Sequence, residues 1–365
     1  MKLHLYFARR FLVAFMGVLA ALSGIVFLIE VTEQVRRFGG KEIGLGRIIG
    51  LSALHVPETL HQILPLVTIL ATLWFFLTMA RSGELIVTRA AGRSALSALV
   101  APAAIALLAG GVAVAALNPI VAATLKEYET RAAELASGTA RTLSVSEEGL
   151  WLRQGNRDGQ TVIHARSASL DGTRLIAARF LVFSGFGTPV RRLEAETATL
   201  TVGAWELTGV KDWPLAGSAN PERDATRHEH LLFPSDLTRE QIRDSFGAPN
   251  AIAIWDLPAF IDNLNRAGFS ARAHKVWLQT ELALPLMLVA MVMIGAGFTM
   301  RHTRIGRTGL MALAAILLGF GLYFIRNFSQ VLGENGHIPV ALAAWSPPVA
   351  AILMVLGLLL HLEDG

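Results

Sequence analysis

The hydropathy of the chain alternates between long apolar runs and one long polar stretch. Three apolar runs come first, a mostly polar segment from Asn118 to Lys275 follows, and three more apolar runs come after it. The first run, Phe11 to Val31, has 21 residues. A helix rising about 1.5 Å per residue needs roughly that length to cross about 30 Å of hydrocarbon. The pattern therefore predicts a membrane α-helical bundle of six transmembrane helices, arranged three and three around an inserted domain.

The predicted spans differ in their flanking residues and in their content of small residues. In chain order they are predicted at Phe11–Val31, Ile63–Ala80, Ala95–Leu117, Val276–Met300, Gly309–Phe328 and Ile338–Leu360. The basic flank of the first span resembles that of a signal peptide, but the run is long and no clear small-residue cleavage pattern follows, which favours an uncleaved anchor. The third span contains Gly110 and Gly111, and such small residues let helices approach closely in lipid.

The polar insertion has the pattern of β structure. Short, broadly alternating runs are separated by clusters of Gly, Asp, Asn and Pro, and this spacing predicts a β jelly roll or sandwich. After Pro249 the period changes, because Asp256 can cap a helix whose apolar positions recur at helical spacing and which Gly268 can end. We therefore expect spans 1 to 3 in residues 1–118, the inserted domain in 119–275 with a closing helix at about 256–268, and spans 4 to 6 in 276–365.

Basic residues in the short loops indicate the orientation. Lys2, Arg9 and Arg10, together with the arginines of the loops after the second and fourth spans, fall on one side if there are six spans. The positive-inside rule makes that side the cytoplasm, so both termini are expected there and the insertion outside. The first outside loop is an exception, since it holds Arg36 and Arg37 directly after the first span.

The amino-acid composition excludes several kinds of catalytic and metal-binding site. Hydrophobic residues make up 53% and charged residues 16%, well below the roughly 25% charged residues of soluble domains, and the chain has no cysteine. Thiol catalysis, thiolate metal sites and disulfides are thereby excluded. No phosphate-binding loop, zinc-helix motif or nucleophile elbow is present. His55 and His61 are poorly spaced for a shared metal and are interpreted as polar residues near a helix end, and no catalytic or metal-binding residue is predicted.

The loop after the second span carries more information. Ser82 can cap a short helix there, Glu84 complements its positive end, Arg89 its negative end, and Gly92 suits a left-handed exit. A capped helix at about 82–92 between two spans could be a lever for a cytoplasmic partner. An ordinary amphipathic turn on the headgroups explains the same residues equally well.

Several motifs, in order along essentially the whole chain, resemble the lipopolysaccharide-export permeases of the LptF/LptG type. They are Leu64-Pro-Leu66, Ser82-Gly-Glu-Leu85 with Arg89-Ala-Ala-Gly92, Glu148-Gly-Leu-Trp-Leu-Arg153, and Asp256-Leu-Pro-Ala-Phe260. The helix before the fourth span and the ending Gly336-His-Ile-Pro339 with Ala343-Ala-Trp345 resemble the G type more than the F type.

The resemblance implies a function and a set of partners. Such a permease pairs with an LptF-type sister and binds an LptB-type ATPase dimer, which holds ATP and Mg, so this chain needs no cofactor and is not an enzyme. It extracts lipopolysaccharide from the inner membrane of a Gram-negative bacterium. It then passes the lipid along jelly-roll proteins of the LptC/LptA type toward the outer membrane.

The resemblance also implies site residues. The expected ATPase contacts are Arg81, Ser82, Glu84, Leu85, Arg89 and Gly92. The expected substrate contacts are Arg36 and Arg37 at lipid phosphates, Glu30 at the end of the first span, Arg326 late in the fifth span, and Trp151, Ile163 and Phe180 along the inserted domain. For Arg326, snorkelling of the side chain to the membrane interface is the alternative. Glu30 stands where related proteins can carry a basic residue, which weakens the case for phosphate contact there.

Two other classes of function remain open from the residues alone. An intramembrane enzyme would need paired catalytic groups at one depth, but Glu30, Glu281 and Arg326 are scattered along the sequence. A membrane scaffold that relays ATPase motion to the outer domain without moving a substrate fits the same pattern. Stimulation of the ATPase by lipid separates transport from such a relay.

Overall fold

A computed structural model describes residues 2–38, 44–84, 87, 95–137, 144–146, 149–156, 159–169, 173–184, 188–235, 237, 248–266, 270–299 and 308–363. Its helices are α1 (Lys2–Phe38), α2 (Leu45–Arg81), α3 (Ala95–Val112), α4 (Asn118–Ser137), α5 (Leu257–Arg266), α6 (Arg272–Thr299), α7 (Thr308–Glu334) and α8 (Val340–Glu363). A π-helical turn, Ala113–Leu117, joins α3 directly to α4. Its strands are β1 (Ser144–Ser146), β2 (Gly149–Asn156), β3 (Gly159–Ala168), β4 (Arg174–Ser184), β5 (Pro189–Thr201), β6 (Ala204–Pro214) and β7 (Thr226–Pro234).

Among the residues that the structure describes, six helical spans are long and apolar enough to cross a membrane, with α3, the π-turn and α4 forming one of them. The predicted fold class, a six-helix membrane bundle with an inserted antiparallel β domain, is confirmed. The helices run well beyond the apolar runs. α2 begins at Leu45 rather than near Ile63 and continues through Pro57 and Pro65, because packing against neighbouring helices can support a helix whose proline removes one backbone hydrogen bond.

The chain divides into two compact units. The helical unit contains residues 1–132, 250–255 and 272–365, and the β unit contains 133–249 and 256–271. In the helical unit α6 and α2 have the largest share of buried residues, whereas few residues of α1 and α7 are fully buried. The two exposed apolar helices offer their surfaces to lipid or to another membrane protein.

The seven strands form one antiparallel sheet in which neighbours along the chain are also neighbours in the sheet. This order is simpler than the crossed connections of a Greek-key jelly roll. The sheet nevertheless encloses an interior, because the rings of Phe180 in β4 and Phe233 in β7 lie 5.3 Å apart. Gln154 of β2 also contacts Ser235, just after β7, with Ser235 Oγ 2.8 Å from Gln154 Oε1. Five strand spacings of about 4.8 Å separate β2 from β7 in a flat sheet, so the sheet is folded onto itself.

A fold line crosses the sheet. Strand pairing is interrupted in one aligned row, at Arg166, Ala177, Glu196, Gly209 and Glu229, while the register on both sides is unchanged. In this row Ala177 has a φ of 51° and Gly209 a φ of 65°. A positive φ changes the direction of an extended strand and is costly for alanine. The sheet therefore bends along the row of residues in which strand pairing is interrupted.

Candidate functional site: the loop after α2, the outer end of α1 and the β interior

The loop after α2 places Glu84 against α1. Gly83, with a φ of 75°, turns the chain after α2, and the Glu84 carboxylate then accepts hydrogen bonds from Arg10 NH1 at 2.6 Å and Tyr6 OH at 3.2 Å. Ser82 Oγ lies 2.9 Å from the same carboxylate. Partial burial tends to raise the pKa of Glu84, but the donors Ser82, Arg10 and Tyr6 outweigh it and hold that pKa below its ordinary value.

This arrangement locates part of the predicted ATPase contact. Ser82 and Glu84 are brought together, and Arg81 is exposed at the end of α2. The other predicted contacts, Leu85, Arg89 and Gly92, lie outside the described residues. The partner of Glu84 on α1 was missed from the sequence, because nothing in the spacing of Arg10 and Glu84 indicates that they meet.

The outer end of α1 is tied to α2 by a histidine between two carboxylates. His55 Nδ1 lies 2.9 Å from Glu30 Oε1, and His55 Nε2 lies 3.1 Å from Glu58 Oε2. Thr59 Oγ1 donates to Glu30 at 3.2 Å. A protonated imidazole has N–H donors on both sides, and two facing carboxylates favour that form. Glu30 is therefore engaged with α2, which explains an acidic residue at this position.

The two arginines after Glu30 differ in their surroundings. Arg36 pairs with Glu33 one turn earlier, at 2.7 Å, and 79% of its side chain is exposed. Arg37 NH1 donates to Tyr128 OH at 3.1 Å, and the same hydroxyl accepts from Gln34 at 2.8 Å. An exposed pair within one helix is weak, so Arg36 is the more available of the two for an external anion.

The interior of the β unit is apolar. Ile163 and Phe180 are fully buried, opposite each other in the β3–β4 ladder, and the Phe180 ring contacts the rings of Trp205 and Phe233. Trp151 departs from the expected lining, because it is 40% exposed between the buried Leu150 and Leu152. Successive side chains in a strand point to opposite faces, so Trp151 lies on the outer face, where its ring contacts His164.

A polar groove of about 730 Å³ lies at the fold line of the sheet. Basic and acidic side chains line it together, among them Arg166, Arg179, Lys211 and Glu194. Arg179 Nε lies 2.9 Å from Glu194 Oε1, so part of this charge is satisfied within the groove. The groove is chemically distinct from the apolar interior.

Arg326, the remaining predicted substrate contact, lies in α7 and is partly exposed. Its charge interacts with the carboxylate of Glu281 in α6. Among the residues that the structure describes, no group of three or more His, Asp or Glu side chains is placed to hold a metal ion.

Within the described residues, six helices long and apolar enough to cross a membrane and an inserted β domain with an apolar interior together define a multi-pass membrane protein. A family description, "Lipopolysaccharide export system permease LptF/LptG", matches residues 5–361. The chain therefore belongs to the LptF/LptG permease family. It is 22% identical over 353 residues to the lipopolysaccharide export system permease protein LptG of Escherichia coli K12, covering 94% of this chain and 92% of that protein. The LptG protein of Escherichia coli O6:H1 gives the same values.

Membership carries the family's general properties. The chain is a multi-pass membrane protein of the lipopolysaccharide export system and a non-catalytic transmembrane subunit of an ABC transporter, without a cofactor of its own. Its partners lie within the Lpt machinery.

Proposed function

We propose that this chain is the G-type permease subunit that extracts lipopolysaccharide from the inner membrane and passes it to a periplasmic jelly-roll bridge toward the outer membrane. The observation that carries this proposal is the family match over residues 5–361, which includes every span and the whole β unit. The apolar interior of the folded sheet supports it further, since acyl chains need an apolar path outside the bilayer.

Each proposed partner has a different role in export. An LptF-type sister permease covers exposed helical surface, an LptB-type ATPase dimer binds ATP and Mg, and LptC/LptA-type jelly-roll proteins continue the β interior. The ATPase contact is proposed at the loop of Arg81, Ser82 and Glu84, together with Leu85, Arg89 and Gly92. In this arrangement the N- and C-termini are cytoplasmic and the β unit is periplasmic, as the basic loops favour.

The substrate path is proposed along Ile163 and Phe180. In the structure their interior is closed, with Phe180 packed against Trp205 and Phe233, so passage of acyl chains requires the folded sheet to part. Its seam at Gln154 and Ser235 rests on polar contacts of 2.8 Å and 3.2 Å, the second to the carbonyl of Pro234. Such exposed hydrogen bonds contribute about 0.5 to 1.5 kcal/mol each, so the seam can open far more cheaply than the apolar core can be disrupted.

Site-specific photocrosslinking tests this path. A photoreactive residue at Ile163 or Phe180 should capture lipopolysaccharide in an ATP-dependent way in the reconstituted complex. Matched positions one residue away, Val162 and Arg179, face the opposite side of the same strands, and Trp151 is a third outer position. Equal capture at inner and outer positions, or none at either, contradicts the proposed path.

The lipid-phosphate contact is proposed at Arg36 more than at Arg37. Arg36→Glu should lower lipopolysaccharide binding strongly, whereas Arg36→Lys should lower it partly, because lysine keeps the charge but loses the two parallel hydrogen bonds that a guanidinium makes to phosphate. Arg37→Glu should act more through the Tyr128 contact and change stability as well. Normal extraction by Arg36→Glu would place the phosphate contact elsewhere.

Transport is distinguished from a relay without substrate by two measurements on one sample. The complex in proteoliposomes should hydrolyse ATP faster when lipopolysaccharide is present, and it should release lipopolysaccharide to a soluble jelly-roll acceptor. ATP hydrolysis that is indifferent to lipopolysaccharide, without release, favours a scaffold.

A further inference from the structure

A buried polar cluster lies inside the helical unit, around the carboxylate of Glu281. At its centre is Glu281 of α6, which is 0% exposed. Its Oε2 lies 3.3 Å from Nε2 of the buried His61 in α2 and accepts a hydrogen bond of 3.2 Å from Nδ2 of Asn118, the first residue of α4. Arg326 of α7 adds a positive charge that interacts with the same carboxylate. Ionisable groups at membrane depth are costly and usually serve function.

The helices that meet at this cluster are irregular there. Pro65 follows His61 by four residues and Pro285 follows Glu281 by four, so the prolines remove the helical hydrogen bonds to the backbone carbonyls of His61 and Glu281. The π-turn Ala113–Leu117 ends directly before Asn118. π-turns leave backbone carbonyls available and are common at functional positions. Three spans are thus locally deformable beside one fixed carboxylate.

The cluster also holds a segment of chain that leaves the β unit and returns to it. This segment, Asn250–Trp255, belongs to the helical unit although the residues on both sides belong to the β unit; we refer to it as the strap. Asn118 Oδ1 accepts the Ile254 N–H at 2.9 Å, and Trp255 Nε1 donates to the carbonyl of Ala115 in the π-turn at 3.1 Å. Asn250 Nδ2 donates to Glu58 of α2 at 2.7 Å.

Asn118 connects the carboxylate of Glu281 to the strap. Its amide nitrogen donates to Glu281 while its amide oxygen accepts from Ile254, and it is 2% exposed. A buried amide with both ends engaged has one orientation, so a shift of α6 at Glu281 displaces the hydrogen-bond acceptor of the strap. Downstream of the strap the chain enters α5 at Leu257.

We infer that Glu281, with His61 and Asn118, is a positioning residue for transport: it holds the strap on the helical unit so that movement of α2 and α6 reaches α5 and the β unit. This role rests on the proposed export function. It requires no chemistry of Glu281 on the lipid, only a carboxylate that accepts a hydrogen bond from Asn118 and lies beside His61.

The test uses the absence of cysteine from the chain. A single cysteine at Ala253, in the strap, reports strap mobility through its rate of labelling by a maleimide. Asn118→Ala removes both hydrogen bonds, and Glu281→Gln keeps an acceptor for Asn118 but replaces the carboxylate that lies beside His61. Thr68→Val is the matched control, because Thr68 is equally buried in α2 but its hydroxyl donates to Leu64 O within its own helix, at 2.9 Å.

In the reconstituted complex, Asn118→Ala should raise the labelling rate and lower lipopolysaccharide released per ATP hydrolysed, each by about tenfold, a typical size for coupling between sites. Glu281→Gln should change both in the same direction by less, and Thr68→Val should change neither. Yield of the complex and the ATPase rate should remain near normal in all three, which separates loss of positioning from loss of folding.

Three outcomes overturn the inference. Unchanged labelling in both variants shows that the cluster does not hold the strap, and faster labelling with normal release per ATP shows that the strap does not serve transport. Equal effects of Thr68→Val indicate general loosening of the bundle. Failure of the unmodified complex to release lipopolysaccharide instead contradicts the proposed export function, and the labelling rates then still decide whether Asn118 and Glu281 hold the strap.

Discussion

Two neighbouring glycines in α3 provide a direct test of helix packing. A Cβ on Gly110 would lie 2.4 Å from Cα of Pro285, 2.9 Å from its Cβ and 3.0 Å from its nitrogen, whereas nothing lies within 4 Å of a Cβ on Gly111. The obstacle at Gly110 is largely backbone, so α3 and α6 must move apart to accommodate a methyl group. We therefore expect Gly110→Ala to destabilise the bundle and Gly111→Ala to leave it unchanged or slightly more stable.

The magnitude follows from two terms. Both substitutions gain up to about 1 kcal/mol in helix propensity, and this gain cancels in the comparison. Gly110→Ala alone incurs overpacking, which typically costs about 1 to 3 kcal/mol. At about 2 to 4 °C per kcal/mol for a unit of 150 to 250 residues, Gly110→Ala should melt several degrees below Gly111→Ala in detergent, as followed by tryptophan fluorescence.

A third glycine separates backbone from side-chain obstacles. A Cβ on Gly319 in α7 would also meet an atom at 2.4 Å, but that atom is the terminal Cδ1 of Ile69, which can rotate away. Gly319→Ala should therefore cost less than Gly110→Ala despite the equal distance. The reasoning is refuted if Gly110→Ala melts at or above Gly111→Ala, or if Gly319→Ala is the most damaging of the three.

Three other variants test the charged contacts. The double variant Arg10→Glu with Glu84→Arg exchanges the two charges and should preserve the ion pair between α1 and the loop after α2, which is worth about 0.2 to 1 kcal/mol for a partly exposed pair. The same variant should abolish copurification of the ATPase. Retained copurification contradicts a role for Glu84 at that interface. Asp212→Ala should lower the free energy of unfolding of the β unit by about 1 to 3 kcal/mol. This is below the range for a fully buried pair, because the Arg191 side chain that binds Asp212 at 2.6 Å is 40% exposed. A melting curve equal to that of the unmodified chain contradicts this prediction. Hydrogen bonds from Lys211 and then from the indole of Trp213 hold the pKa of Glu222 below its ordinary 4.5. The stability that ionised Glu222 contributes is therefore present above pH 4.5 and is lost as the pH falls through the pKa of the folded state. Glu222→Gln should flatten this acid-induced loss in melting temperature, and an unchanged pH profile counts against the pairing.

Hydropathy alone was enough to predict the membrane fold. The six spans follow from run length, and the inserted sheet follows from alternation and turn residues, because both signals are local. Helix ends were predicted less well. The second span was predicted to begin at Ile63, whereas α2 begins at Leu45, and its polar residues His55 and His61 lie beside carboxylates of α1 and α6.

The site was less predictable because its contacts join distant parts of the chain. Glu84 meets Arg10, Glu30 meets His55, and Glu281 meets Asn118, and in each pair the two residues lie in different helices or loops of the chain. Sequence position gives the type of each residue but not its partner. Trp151 was misplaced for a different reason, since an error of one residue along a strand moves a side chain to the opposite face.

The spacing of His55 and His61 explains how one helix serves two neighbours. Six residues correspond to about 9 Å of rise and about 240° of rotation along an α-helix, so the two imidazoles cannot share a ligand but can face different helices. His55 meets Glu30 of α1, and His61 meets Glu281 of α6. α1 is also held at its other end by Arg10 and Glu84, and the 20 residues from Arg10 to Glu30 span about 30 Å, close to the hydrocarbon thickness. The two ionic ties of α1 are thus separated by about the thickness of the bilayer, while its apolar face between them stays largely exposed. With one tie at each end, loss of either contact leaves α1 held to the rest of the helical unit by the other.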